Sequence, residues 1–548
     1  MVTMRYRVNQ EDRRPNILLI TCDQLRSDYL GCYGADFMQT PNIDALAAEG
    51  RVYENAYSPN PVCIPARHNL LTGLTDRHHG FDDNYFGAEA KPLPYYLPTF
   101  PQILSDNGYD TCAVGKMHFQ PERRMNGFDH FFNMDEVPPD READDYMLFL
   151  KEKGYGNLQS INGVRHCLYM QPQRALMPEE LHGSHWVADR SIQYLDEQRG
   201  RRPFLLWTGF IHPHPPLHIP DEWAEMYKGK LPAPSVPKTP LGLLAEENKT
   251  LGDLPTPEAV QRMREMYAAA ISYVDFQVGR IVEKLKELDL YDDTLILFTS
   301  DHGEMLGDLG TYQKFLPYDP SCKIPFIVHW PKQVAAGERD PRFVDLNDVL
   351  PTFLDAAGAE YPDVYDLPGE SVFGEGVKDR RYQYVEHQRD SKRWCMLRDE
   401  RYKYVYSYGD DEQLFDMVND PQETENLLHG GGTPEMRAVA DRLRQRLIRY
   451  EARYGLKGGI VNGDFEKRPR YQPILYWEEN FPNFVKMLVK EGEKEALNDM
   501  LDEVLWAIEK EPTVKLSLNH TRDILQRAGY SKERIDALME RAKEQGNY

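Results

Sequence analysis

Two apolar runs, residues 16–22 (NILLITC) and 294–300 (TLILFTS), each break off abruptly into acidic loops, DQLRSD and DHGEM. A run that is apolar at consecutive positions, rather than at every second one, buries both faces, as a strand inside a parallel sheet does. Parallel strands need long crossovers, usually helical, so the rest of the chain must supply helices between strands. It does. Residues 40–50 (TPNIDALAAEG) read as a short helix with Pro at its start and Gly at its end. TFPQILSDNGYDTCAVGK reads as a helix and then a strand. A helix is expected near 184–198, a strand at 203–210 and a long amphipathic helix from about Pro257 to Leu288. Residues 213–240 hold eight prolines, an irregular stretch long enough to cover a site. The predicted fold class is α/β, with a mostly parallel central sheet flanked by helices.

The pattern changes near residue 380. YQYVEHQ, WCMLRD, KYVYSYG and EQLFDM are short, aromatic-rich and separated by turn signals. They predict a small antiparallel sheet, followed by a helix at about 434–453. Beyond residue 456, Leu497, Leu501, Val504, Leu505 and Ile508 line one helical face, and Ser531 is an N-cap candidate for a helix near 531–544. The expected organisation is therefore an α/β catalytic domain over 1–380, a small α+β subdomain over 381–455 and a helical extension over 456–548. The extension is expected to pack on the main domain or to make a homo-oligomer contact.

Composition narrows the partners. With 33 Tyr and 22 Phe the chain can bury a core, and its net charge of −23 argues against nucleic acid and anionic membrane as partners. No apolar run approaches the ~18 residues of a membrane span. The seven cysteines are odd in number and widely spaced, without a CxxC pair, and the N-terminus lacks an apolar h-region. Both point to a reducing, cytoplasmic home. Taken alone, the acidity also argues against an anionic substrate.

The residues past the strand ends argue otherwise. Asp23 follows the first run, and Asp301-His302 follows the second. Ligands of open α/β sheets bind beyond the carboxyl ends of strands, so these three residues predict an oxygen-rich divalent metal site. Either segment alone would read as a cap or a turn. Cys63 begins the segment CIPARHNLLTG before an apparent helix N-terminus, with Arg67 one turn along, an arrangement that favours an anion.

CIPAR followed by LLTG resembles the sulfatase signature Cys-x-Pro-x-Arg of the alkaline phosphatase superfamily. The resemblance spans about residues 15–450 and includes NILLITCDQLRSDYLGCYG, TPNIDALAAEG, VGKMHF, PHPP, TSDHGEMLGD and KYVYSY…QLFDMVNDPQETENL, in the family's order. It implies that Cys63 is oxidised to formylglycine by a maturation enzyme. It further implies that Asp23, Gln24, Asp301 and His302, with position 63, hold one divalent ion, Ca²⁺ or Mn²⁺. Gln24 stands where many sulfatases have a second Asp, so the site loses one negative charge. Arg67 matches the arginine that steadies the formylglycine, Lys116 and His118 the family's Lys-x-His pair, His214 the histidine of Pro-His-x-Pro, and Lys314 the lysine downstream of the DHGE segment. In this scheme the hydrated aldehyde attacks sulfur, the cations offset the sulfuryl charge, His214 with Lys314 protonates the leaving alcohol, and His118 takes the proton that lets the aldehyde re-form. His212 and His218 flank His214 as alternative acids. At position 309, often histidine in the family, this chain has Leu309.

The resemblance thus implies an arylsulfatase-type sulfuric ester hydrolase, and the net charge of −23, which opposes steering of large polyanions toward the cleft, points to a small anionic ester. The alternative is a phosphonate monoester or phosphodiester hydrolase of the same superfamily, a group that often shows the Asp-Gln pair seen here as Asp23-Gln24 but usually lacks the Lys-x-His pair. A sulfatase-like binding protein without turnover is the third reading. Asn84 and His182 are candidate substrate-binding residues. Arg67, Lys116, Lys314 and protonatable His118 and His214 would make the local field oppose the net charge.

Overall fold

The computed structural model describes residues 14–85, 90–165, 167–198, 202–249, 256–362, 364–374, 380–387, 392–472, 489–490, 492–511, 513–514 and 518–546. Its centre is an eight-stranded sheet. In chain order the strands are β1 (Asn16–Cys22), β2 (Arg51–Tyr57), β3 (Asp110–Gly115), β4 (His130–Asn133), β5 (Phe204–Phe210), β6 (Thr294–Ser300), β7 (Phe326–His329) and β8 (Glu338–Asp345). They lie side by side as β8-β2-β7-β6-β1-β5-β3-β4. All neighbouring pairs are parallel except those of β7, which is antiparallel to both β2 and β6. The two runs that opened the sequence reading are central neighbours, in register from Asn16↔Thr294 to Cys22↔Ser300.

Helices cover both faces: α1 (Pro41–Ala48), α2 (Cys63–Thr72), α3 (Phe100–Asp106), α4 (Gly183–Gln198), α5 (Pro257–Glu287) and α6 (Val349–Ala357). Alternation along β1 divides the core. Leu18, Ile20 and Cys22 pack with Trp186 and Val187 of α4 and with Met266 and Ile271 of α5. Ile17 and Leu19 pack with Leu70 of α2, Leu104 of α3 and Phe353 of α6. This double burial is why the strand is apolar at consecutive positions. Thr256 caps α5, its side chain accepting from the Ala259 N–H, with Pro257 at the first helical position.

The small sheet is antiparallel, in the order β9 (Gln383–His387), β10 (Trp394–Arg398), β11 (Tyr402–Ser407), β12 (Gln413–Asp416). One face, with Trp394, Met396 and Val405, packs on Tyr57, Leu316 and Phe343 of the main body. The other, with Leu397, Tyr404 and Leu414, is covered by Leu443 and Leu447 of α7 (Pro434–Tyr454). Then follow α8 (Met500–Lys510), α9 (Leu518–Arg527) and α10 (Lys532–Glu544), the last capped by the Ser531 side chain, which accepts from the Arg534 N–H. The apolar face expected from Leu497 begins later: Leu497 precedes α8 and packs on the main core, while Leu501, Val504 and Ile508 pack against Leu525, Leu538 and Met539. That face is covered within the chain itself. No helix among the described residues is long and apolar enough to cross a membrane.

Candidate active site

Five adjacent strands deliver the site from their carboxyl ends. Asp23 and Gln24 follow β1, Asp301 and His302 follow β6, His214 follows β5, Lys116 follows β3, and Glu136 follows β4. Backbone ties hold the central pair of loops together. Gln24 N–H donates to Asp301 Oδ1 (3.0 Å), and Leu25 N–H to Ser300 Oγ (2.9 Å). Gln24 (φ 66°) and His118 (φ 57°) both occupy the left-handed region that non-glycine residues avoid. Such strain, held by its surroundings, is characteristic of functional loops.

Cys63 is the first residue of the wholly buried α2. Its Sγ lies 3.0 Å from Lys314 Nζ, 3.2 Å from His302 Nε2 and 3.8 Å from Asp23 Oδ1. Asn84 Oδ1 accepts the Ile64 N–H (3.0 Å), so the structure places this candidate substrate-binding residue as a cap on the same helix terminus. One ligand atom each from Asp23, Cys63, Asp301 and His302 lies within 4.8 Å of all the others. His302 Nδ1 pairs with the Gly303 carbonyl (3.0 Å), which makes Nδ1 the protonated nitrogen and leaves the Nε2 lone pair facing the cluster.

Charge follows this geometry. Burial raises both Asp23 and Asp301, and Asp301 raises Asp23 further, but their neighbours, Lys116 and Arg67 among them, hold each at about 2. Arg67 Nε donates to Asp301 Oδ2 (2.9 Å), NH2 to Asp23 Oδ2 (3.3 Å) and NH1 to the Lys116 carbonyl (2.6 Å). Lys116 Nζ bridges Asp23 Oδ2 and Glu136 Oε2, 2.5 Å from each. Two ionised carboxylates, an outward imidazole lone pair and the neighbouring Gln24 amide make a donor set that fits a hard or borderline divalent cation.

Lys314 Nζ also contacts Gln24 Oε1 (3.0 Å) and His214 Nε2 (3.2 Å). Burial lowers its affinity for a proton, but Cys63, Asp23 and Glu136 raise it further, so it stays charged. His214 Nδ1 is tied to the Pro215 carbonyl (2.5 Å). A ring nitrogen of His118 lies within 4.8 Å of Cys63 Sγ and of a Glu136 carboxylate oxygen. Burial holds His118 and His214 well below the usual imidazole range. This corrects the expectation that both add positive charge: the standing cations are Arg67, Lys116 and Lys314. Burial and Asp23 push the Cys63 thiol up to about 11, so an unmodified Cys63 is a protonated, weak nucleophile at neutral pH.

His182 is not brought to Cys63 by any described contact. It groups with His212 and His218, ring centroids 5.0 and 4.8 Å away, while its Nδ1 accepts the Ser184 N–H (3.1 Å). Of His212, His214 and His218, His214 is the one in contact with Lys314. Leu309 sits in an apolar cluster with Leu241 and Met305. Sequence reasoning missed Glu136 and Glu304. Glu136 joins Lys116, His214 (3.5 Å) and Arg165 (2.6 Å), and Glu304 accepts from the Gln24 side chain. Glu304 stands within the DHGE segment and was legible as a candidate; nothing local marks Glu136.

The fold is that of the alkaline phosphatase superfamily of hydrolases, with a candidate metal-binding cluster of Asp23, Asp301 and His302 beside a cysteine on a helix N-terminus. The Sulfatase family model matches residues 15–359, and the model of the N-sulphoglucosamine sulphohydrolase C-terminal region matches residues 307–453. The chain is 32% identical over 471 residues to an arylsulfatase of Clostridium perfringens, covering 80% of this chain and 94% of that one. It is 30% identical over 456 residues to a choline-sulfatase of Rhizobium meliloti, covering 79% and 86%. The crystal structure of the phosphonate monoester hydrolase of Agrobacterium radiobacter superposes with a TM-score of 0.70 at 26% identity, covering 80% of this chain and 96% of that one. The chain belongs to the sulfatase family of hydrolases.

Proposed function

We propose that this enzyme cleaves a small sulfate monoester with formylglycine, made from Cys63, as its nucleophile. The observation that carries this reading is the single pocket in which Cys63 Sγ meets Lys314 Nζ (3.0 Å), His302 Nε2 (3.2 Å) and Asp23 Oδ1 (3.8 Å). Asp23, Gln24, Asp301 and His302 would hold the metal, Ca²⁺ or Mn²⁺, which supplies charge stabilisation and a lower pKa for the attacking hydroxyl. The remaining work falls to side chains. Arg67 fixes both carboxylates in place. Lys116 and Lys314 offset the charge of the sulfuryl group. Lys314 keeps a proton at Nζ, hydrogen-bonded to His214 Nε2, and the pair delivers it to the departing alkoxide. Neutral His118 is the base for the hydroxyl left on residue 63.

A formylglycine-generating maturation enzyme is the partner that this reading requires. A homo-oligomer built on the extension would use the outer sides of α8 to α10, because their apolar faces are already packed. The described cysteines are all free, which fits a reducing, cytoplasmic setting.

A phosphonate monoester or phosphodiester hydrolase is the second reading, favoured by Gln24 in place of a second acidic ligand and by the likeness to the Agrobacterium radiobacter enzyme. Turnover of an aryl sulfate, an aryl phosphonate and a phosphodiester by matured enzyme tests the two. Predominant sulfate turnover is expected, and predominant phosphonate turnover would overturn it. Intact-peptide mass around position 63 checks maturation, the modified residue being the lighter.

A further inference from the structure

The carboxylate of Glu136 sits in the wrong place for an anion site. One of its oxygens lies within 4.8 Å of Cys63 Sγ, so its charge faces the position an ester anion would take. Two cations form ion pairs with it. Lys116 also serves Asp23 and so cannot neutralise Glu136 alone. The second is Arg165, whose NH2 lies 2.6 Å from Glu136 Oε1. Its guanidinium stands over the Tyr169 ring (4.7 Å), and that ring meets His214 edge-on (6.2 Å).

Arg165 ends the described segment 157–165, and the C-terminal helices hold this segment together with residues 167–171. Val164, Cys167 and Leu168 are buried together with Leu501, Val504, Ile508, Leu525 and Met539. Glu503, itself buried, accepts the backbone N–H groups of Gln159 and Ser160, each at 2.9 Å. Asn498 N–H donates to the Asn157 carbonyl (2.9 Å). On its inner side the segment 157–165 is tied to the site: Asn162 Nδ2 donates to the carbonyls of Asp135 (2.9 Å) and Glu136 (3.3 Å). A continuous series of contacts thus runs from α8 through this segment to Glu136.

We propose that the C-terminal helices serve substrate binding: they fix residues 157–165 so that Arg165 neutralises Glu136 and the pocket beside Cys63 accepts an anion. Arg165 is then a positioning residue that acts through Glu136. The proposal rests on the reading that the ester anion sits beside residue 63.

The test uses matured, metal-loaded full-length enzyme with inorganic sulfate as a competitive probe beside an aryl sulfate substrate. Arg165→Ala raises the sulfate inhibition constant and KM at least about tenfold, with a smaller change in kcat, and Arg165→Lys restores most of the loss. Glu503→Ala moves both constants in the same direction, and adding it to Arg165→Ala produces little further change. In a Glu136→Gln background, Arg165→Ala changes the sulfate constant by less than about twofold, because the charge to be neutralised is gone. Arg165→Ala with unchanged sulfate inhibition, or with an undiminished effect beside Glu136→Gln, overturns the proposal. Should Glu503→Ala fail to fold, as read by thermal melting, the Arg165 and Glu136 variants decide. A wild-type enzyme that sulfate does not inhibit would instead overturn the reading of the anion's place.

Discussion

Lys314 Nζ lies 3.0 Å from Cys63 Sγ and 3.2 Å from His214 Nε2, so one ammonium group joins Cys63 to His214. It is fully buried among carboxylates and keeps its proton over the whole working pH range. In the proposed reaction a charged donor at that point would stabilise both the sulfuryl oxygens and the leaving alkoxide. Lys314→Ala is expected to lower kcat about 10²–10⁴-fold. His214→Ala should penalise alkyl sulfates more than aryl sulfates, because poor leaving groups depend most on proton delivery. Steady-state rates across leaving groups of graded pKa measure both effects, and an equal loss for all of them would remove His214 from proton transfer.

Arg67 and Asp301 form the second relationship, with Nε donating to Oδ2 at 2.9 Å. Arg67 offsets the repulsion between Asp23 and Asp301. Removal of the proposed ion would leave two buried carboxylates ionised side by side, each held at about 2 by neighbours that include Lys116 and Arg67. Chelator treatment should therefore abolish turnover and lower the melting temperature, with Ca²⁺ or Mn²⁺ restoring both in a concentration-dependent way. Asp301→Asn should remove the metal dependence of the melt, because the site then loses one anionic ligand.

Gln24 is held by Glu304, which accepts from its side-chain amide, and by Lys314, which donates to its Oε1. Gln24→Asp on its own restores the common acidic ligand but sets a carboxylate against Glu304. A fall in activity of at least about tenfold is expected from this like-charge contact. Gln24→Asp with Glu304→Gln relieves it and should bind the metal more tightly than wild type, as read by chelator competition. If Gln24→Asp alone matches wild type, Glu304 does not set the identity of residue 24.

Much of this was legible in the sequence. The apolar runs of β1 and β6 fixed their burial, and the acidic residues after them marked the site, because strand ends in a parallel sheet converge on one edge. The small antiparallel sheet followed from short aromatic-rich segments between turn signals, and the C-terminal helices from apolar periodicity and the Ser531 cap. Glu136 was not legible, since its meaning depends on Lys116 and Arg165, which come from separate loops. The neutrality of His118 and His214 was equally hidden: it comes from burial, which no local pattern encodes.

Burial also imposes an acid limit on stability. His68 stacks on Phe81 with ring centroids 4.0 Å apart, and its Nδ1 pairs with the Ile64 carbonyl (2.7 Å). His218 pairs through Nδ1 with the Pro216 carbonyl (3.1 Å). Burial lowers each from the usual 6.5 to about 4. Between those values the unfolded chain binds protons that the folded chain refuses, so the unfolded state gains as pH falls. The stabilisation is whole above pH 6.5 and drains away as the pH drops through 6.5 toward 4, by up to ~1.4 kcal/mol per pH unit for each histidine. His68→Phe keeps a ring against Phe81 and removes the titrating group, so it should flatten this slope while costing some stability at pH 7.5 through the lost hydrogen bond. Denaturant unfolding at a series of pH values from about 4.5 to 7.5 measures it. An unchanged slope in His68→Phe would mean that the ring is already protonated in the folded protein, against the burial that surrounds it.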